Sequence, residues 1–199
     1  MMWNCVEADP SQKGTAYFVG TKYKSDDYTP YIFLTNDYGK TWKKITNGIP
    51  QTHFTRCLRA DKKRPGLLYC GTEYGMYISY DYGENWKSFQ LNLPMVPITD
   101  LTIKNNDLVV ATQGRAFYIL DDLSVVQNID KMPAQNNMYI FPVEEAYRMD
   151  GSQNLNVKNA GINPPNGIVV NYFLKDAADS SLIKIFVLDK DKKIISSFS

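Results

Sequence analysis

Apolar and polar residues alternate in short runs along most of this chain, with a period close to two. Segments such as "TAYFVGT" (15–21), "YIFLT" (31–35), "LLYCGT" (67–72), "GMYIS" (75–79) and "DLVVAT" (107–112) carry the pattern. They are rich in Tyr, Phe, Val and Ile and are bounded by Gly, Pro, Asn and Asp. Runs of this kind predict half-buried β-strands. Helical periodicity is nearly absent, so the expected fold class is all-β.

The runs come in groups of four. The first group falls near 3–8, 15–21, 31–35 and 41–46, and the second near 54–60, 67–72, 75–80 and 85–90. The third takes 98–103, 107–112 and 116–120, with a fourth strand expected at 124–128. Longer phrases repeat as well: "ADPSQKGTAYFVGT" (8–21) aligns with "ADKKRPGLLYCGT" (60–72), and "NNDLVVAT" (105–112) is a fainter copy. A repeat of about 40–50 residues with four strands points to β-propeller blades. The expected units span 1–50, 51–95 and 96–128. Three units are fewer than the 4–8 that typically close a disc, so an incomplete propeller is expected.

Within the repeat, "TNDYGKTW" (35–42) and "SYDYGENW" (79–86) share one phrase, Ser/Thr-x-Asp-x-Gly-x-Thr/Asn-Trp. Its chemistry suits a tight turn. Gly39 and Gly83 take a left-handed conformation without penalty, and Asp37 and Asp81 accept turn N–H groups. Thr35, Thr41, Ser79 and Asn85 add bonds within the same hairpin. Trp42 and Trp86 are expected to pack between neighbouring sheets. One carboxylate per turn supplies too few oxygens for calcium, so no metal and no cofactor is expected.

These phrases resemble the Asp-box, or bacterial neuraminidase repeat (BNR), of sialidases, xyloglucanase-like glycosidases and sortilin-type propellers. The wording of "YIFLTNDYGKTWKKITNGIP", "GLLYCGTEYGMYISYDYGENW", "FQLNLPMVPITDL" and "DLVVATQGRAFYILDDLS" is similar to that of large bacterial BNR-repeat glycosyl hydrolase proteins with sortilin-like propellers. The likeness covers most of residues 6–124. The third unit departs from it, with "LDDLS" in place of an Asp-box. The resemblance implies a secreted or periplasmic parent. The opening "MMWNCVEADP" has neither the basic start nor the apolar stretch of a signal peptide. It begins almost directly in strand-like sequence, as an internal cut would.

After the repeats the character changes. Residues 129–167 are rich in Asn, Pro and Gly and read as a connector, with one strand expected at 138–141. "IVVNYFLK" and "LIKIFVLDKDKKIISSFS" read as alternating strands with an Asp-Lys-Asp-Lys hairpin tip. By the resemblance, 168–199 is the start of an immunoglobulin-like β-sandwich.

The bulk numbers change the picture little. Aromatic content of 13%, with 14 Tyr, fits strands, and a net charge of +1 gives no reason to expect nucleic acid as partner. No apolar run is long enough to span a bilayer. Cys5, Cys57 and Cys70 show no metal-type spacing. A hairpin turning around "DKKRPG" would set Ala60 opposite Leu67 and Cys57 opposite Cys70. That register leaves two readings open, a bridge or two small buried side chains.

The family fold places the Asp-box between the third and fourth strands and ligand-facing loops on the opposite face. That points to "TKYKSDDYTP" (21–30), "TEYG" (72–75), "TQGR" (112–115) and the links 47–53 and 91–97. Tyr23, Tyr28, Tyr74, His53 and Arg115 are the candidate ligand-binding residues. Asp26, Asp27 and Glu73 are the weak catalytic candidates. A glycosidase needs two carboxyls roughly 5–10 Å apart, whereas Asp26 and Asp27 point apart in extended chain. Two functions follow. One is a non-catalytic part of a propeller presenting a glycan- or peptide-binding surface, with further blades or self-association completing the disc. The other is part of a glycoside hydrolase whose catalytic carboxylates lie mainly outside this chain.

Overall fold

The computed structural model describes residues 1–132, 137–146, 167–175 and 184–198. The chain divides into two compact units, Met1–Leu123 and Ser124–Ser199. The first holds three antiparallel sheets in chain order. Blade 1 is β1 (Met2–Ala8), β2 (Ala16–Lys22), β3 (Asp27–Thr35) and β4 (Lys43–Lys44). Blade 2 is β5 (Thr55–Ala60), β6 (Leu68–Thr72), β7 (Gly75–Ser79) and β8 (Lys87–Ser88). Blade 3 is β9 (Ile98–Lys104), β10 (Asp107–Thr112) and β11 (Phe117–Leu120).

Each blade is a meander in which sequential strands pair, and the registers of the first two coincide. Ala8 pairs with Ala16 as Ala60 pairs with Leu68, and Ala16 pairs with Thr35 as Leu68 pairs with Ser79. Two side-chain devices produce this sameness. The first is the turn of the repeated Asp phrase. Thr35 Oγ1 donates to Asp37 at 2.8 Å and accepts the Gly39 N–H at 2.9 Å, while Asp37 accepts the Thr41 N–H at 2.9 Å. Ser79, Asp81, Gly83 and Asn85 repeat those bonds at 2.7, 2.9 and 2.9 Å. The second is the Ala-Asp of the repeat. Asp9 takes the Ser11 N–H and the Tyr17 hydroxyl, both at 2.8 Å. Asp61 takes the Lys63 and Arg64 N–H groups at 2.8 Å and the Tyr69 hydroxyl at 3.3 Å.

The main core lies between blades 1 and 2. Tyr17, Val19, Ile32 and Ile45 meet Leu58, Leu68, Tyr77 and Trp86 there. Blade 2 meets blade 3 through its other face, where Gly71 lies against Ile98. A Cβ at Gly71 would stand 2.6 Å from Cys57 Sγ and 2.7 Å from Ile98 Cγ2. Only a residue without a side chain permits that approach.

Three expectations need correction. The hairpin of blade 2 is offset by one residue, because the Asp61 N–H bonds Leu67 O at 2.9 Å and closes the loop there. Ala60 therefore pairs with Leu68, Leu58 with Cys70, and Cys57 with Gly71. Cys57 and Cys70 point to opposite faces, and all three cysteines are free thiols. Next, among the described residues no fourth strand joins blade 3 after β11. Asp122 turns left-handed (φ 52°), the Leu123 N–H bonds Asn106 O at 2.8 Å, and Ser124–Asn128 forms the short helix α1. "LDDLS" lacks the Trp that would anchor another strand in a seam. Finally, Trp86 is buried at 3% exposure but Trp42 is 45% exposed. Trp86 packs on the blade before its own, whereas Trp42 stands on the outer face of blade 1.

In the second unit, β12 (Met138–Ile140) pairs with β13 (Tyr172–Leu174), and β14 (Ile185–Leu188) pairs with β15 (Ile194–Phe198). Asp189 orders the hairpin tip by accepting the Asp191 and Lys193 N–H groups at 2.9 Å.

Candidate functional site

The first strands of the three blades, β1, β5 and β9, border a groove of about 460 Å³. Its walls are polar. Arg59 reaches Asp100 at 2.7 Å and Glu7 at 3.8 Å, and its Nη1 donates to Cys5 Sγ at 3.1 Å. Burial raises the Glu7 carboxyl above its ordinary value, although the Ala60 N–H and Arg59 oppose that. A second recess of about 310 Å³ shares Asn4, Arg56 and Thr99 with this groove and adds Met2, Thr21, Tyr23 and Phe54.

That recess gathers aromatic and charged groups from the predicted loop face. Tyr23 stacks on Phe54 with ring centroids 5.1 Å apart, and Tyr28 lies 6.1 Å from the same ring. The Arg56 guanidinium stands 5.3 Å from the Phe54 centroid and is paired with Glu73. The Thr21 hydroxyl is buried and has no hydrogen-bond partner among the described residues. A buried polar group without a partner costs on the order of 1–3 kcal/mol.

The structure separates the sequence candidates into three groups. Tyr23 and Tyr28 converge on Phe54. His53 and Tyr74 form another contact, with rings 4.8 Å apart and His53 Nδ1 2.7 Å from the Tyr77 hydroxyl. Burial lowers the His53 pKa, so the ring is neutral at pH 7. Arg115 lies apart on the exposed tip of the β10–β11 hairpin.

The three carboxylates are differently engaged. Asp27 accepts the Tyr31 hydroxyl at 2.7 Å and the Thr29 N–H at 3.0 Å, and Lys22 lies 3.7 Å away. The Tyr31 bond, then Thr29, hold its pKa down at about 2. A carboxyl so acidic is ionised at neutral pH and unsuited to general-acid work. Glu73 is committed to Arg56. Asp26 sits at φ 60° at the end of the 3-10 turn Tyr23–Ser25, and its N–H caps Tyr23 O at 3.1 Å.

Sequence reasoning did not single out Thr21, Phe54, Arg56, Arg59, Glu7 or Asp100 as site residues. One signal was present. Arg56 and Arg59 interrupt the apolar alternation of a strand otherwise buried, which marks a strand lining a polar space. Among the described residues no cluster of three or more metal-ligating side chains exists.

No family model matches the sequence, and the curated proteins contain no significant match. Solved structures are similar over part of their length. An ancestral GH74 enzyme is 18% identical with a TM-score of 0.47, covering 57% of this chain and 14% of that one. The GH74 xyloglucanase from Xanthomonas campestris is 15% identical with a TM-score of 0.47, covering 61% and 22%. YCF48 bound to D1 peptide is 20% identical with a TM-score of 0.43, covering 60% and 36%. The chain thus spans from about a seventh to about a third of the structures it resembles. Repeated antiparallel meanders, their shared registers and the two matching Asp turns make this chain an all-β protein built of propeller-type blades.

Proposed function

We propose that this chain is a non-catalytic part of a β-propeller whose loop face binds a glycan, in an exported protein of the sortilin-like BNR type. The observation that carries the reading is the recess at Thr21. There the buried Thr21 hydroxyl, without a hydrogen-bond partner among the described residues, lies beside the Tyr23–Phe54 stack and the Arg56–Glu73 pair. Exposed aromatic faces suit the apolar faces of sugar rings, and placed polar groups fix orientation. An extended peptide is the other ligand class such a face accommodates. The Asp-box phrases support export, and blades beyond these three would complete the disc.

The part-hydrolase reading has less support within this chain. Asp27 and Glu73 are each held by partners that keep them ionised or paired. Titration of the chain with cellohexaose, a xyloglucan oligosaccharide and an unrelated extended peptide, followed by calorimetry and amide NMR, separates the readings. Glycan binding that is lost in Tyr28→Ala and weakened in Thr21→Val is the expected result. Binding of the peptide alone would redirect the assignment. Reducing-sugar release by the chain would restore the catalytic reading.

A further inference from the structure

The three strands that border the groove share one irregularity. β1 pairs Trp3 with Gly20 and Cys5 with Val19, so Asn4 has no residue opposite it. β5 pairs Thr55 with Thr72 and Cys57 with Gly71, which leaves Arg56 extra. β9 pairs Ile98 with Thr112 and Asp100 with Ala111, which leaves Thr99 extra. Each first strand thus carries a β-bulge at the same point of its blade. Bulges re-aim the extra side chain and are over-represented next to active sites.

The three re-aimed residues meet. Asn4, Arg56 and Thr99 are the ones common to the 460 Å³ groove and the 310 Å³ recess, so they form the floor that joins the two. Their bonds within the protein leave a mixed set of groups for a ligand. Asn4 donates to Thr55 O at 3.4 Å, which leaves its amide oxygen to accept. Thr99 donates to Ala111 O at 3.2 Å, which leaves its oxygen to accept as well. Arg56 gives Nε and Nη2 to Glu73, so its charge is balanced and Nη1 is left to donate. At the recess end the buried Thr21 hydroxyl can do both.

An anion asks for donors alone and a cation for acceptors alone, whereas hydroxyl groups ask for both. A peptide strand would seek the main-chain edge of β1, β5 or β9, and a bulge interrupts each edge at this point. We infer that a glycan lies across the three bulges, as a chain of uncharged sugar residues with one end in the Thr21 recess and the rest along the groove. The inference rests on the glycan reading of that recess and adds the course of the chain, its lack of charge and its floor. It does not depend on how many blades surround these three, since each bulge belongs to the blade that carries it.

Calorimetry and amide NMR of the full chain with cellobiose, cellohexaose, hexagalacturonate, hexaglucosamine and an uncharged extended peptide test it. Cellohexaose should bind more tightly than cellobiose and than either charged hexamer, and should shift the amides of Asn4, Arg56 and Thr99. Asn4→Ala and Thr99→Val, both at exposed positions, should keep the near-ultraviolet dichroism of the wild type. Each should weaken cellohexaose roughly five- to tenfold, about the worth of one hydrogen bond, and leave cellobiose unaffected. Cellobiose binding at Thr21 and Tyr23 that gains nothing from a longer chain and moves no bulge amide overturns the inference and leaves the recess reading standing. A preference for either charged hexamer does the same. Binding of the peptide alone, or of none of the five, overturns both.

Discussion

Trp86 donates its indole N–H to the carbonyl of Ile45 at 2.9 Å, across the seam between blades 1 and 2. The Trp86 backbone N–H adds a bond to Asn47 O at 2.8 Å. One residue thus fastens two sheets by ring burial, a side-chain bond and a backbone bond. Trp86→Ala should cost about 3–5 kcal/mol, the usual range for a large buried aromatic. Trp42→Ala should cost about 1 kcal/mol or less, because its ring is half in solvent. Urea unfolding of both variants checks the contrast; equal losses would contradict the seam geometry.

Asp37 gives stability with a defined pH sign. The Thr41 hydroxyl, then the Thr41 N–H, hold its carboxyl at about 2, against 3.8 ordinarily. Because the folded value is depressed, this contribution is complete above the unfolded value and is lost as pH falls from 3.8 through about 2. Thermal melts of the wild type should fall across that window, and those of Asp37→Asn should fall less. Glu7 acts with the opposite sign. Burial raises its folded value above 4.5, so its contribution is present at low pH and fades as pH rises through that higher value. A Glu7→Gln variant should remove this loss.

Thiol chemistry should follow burial. Cys5 is half-buried at the groove, whereas Cys57 and Cys70 are enclosed. Burial pushes the Cys57 thiol up to about 12 and raises that of Cys70 well above its ordinary value. The thiolate is the reactive form. In the native state a maleimide should therefore label one cysteine quickly, and mass mapping should find it at Cys5. Labelling of all three should require denaturant. A species two daltons light under non-reducing conditions would contradict the assigned register.

Gly71 marks the tightest point of the second seam. A methyl group there meets Cys57 Sγ and Ile98 at about 2.6–2.7 Å, below ordinary contact distance. Overpacking of this kind costs about 1–3 kcal/mol. Gly71→Ala should lower the unfolding free energy by that amount, read from urea unfolding. Paired with Cys57→Ala, which shortens one neighbour, it should lose less than the two single effects added together.

Some of the site was legible before any coordinates. The loop 21–30 does carry two aromatics to one place, because the short β2–β3 connection can only lie at that end of the blade. Their partner Phe54 was not legible, since it comes from the next blade at the start of β5. The strand Thr55–Ala60 held a readable sign in Arg56 and Arg59, but their carboxylate partners Glu73, Glu7 and Asp100 come from the β6–β7 turn, β1 and β9. No spacing rule connects those positions.

The division between sequence and tertiary structure follows from the range of the interactions. Alternation, turn residues and the repeated Asp phrase determined the strands, their meander order and the conformation of each Asp turn, since all those bonds lie within a few residues of each other. What local bonds leave open, packing decided. Trp42 and Trp86 occupy the same place in the same phrase, yet one is exposed and the other buried, because only one has a blade before it. The one-residue offset that parts Cys57 from Cys70 belongs to the Asp61 turn that closes their hairpin. The loss of a strand at 124–128 also came from packing, because a fourth strand is held by what its tryptophan finds across the seam, and here there is no tryptophan.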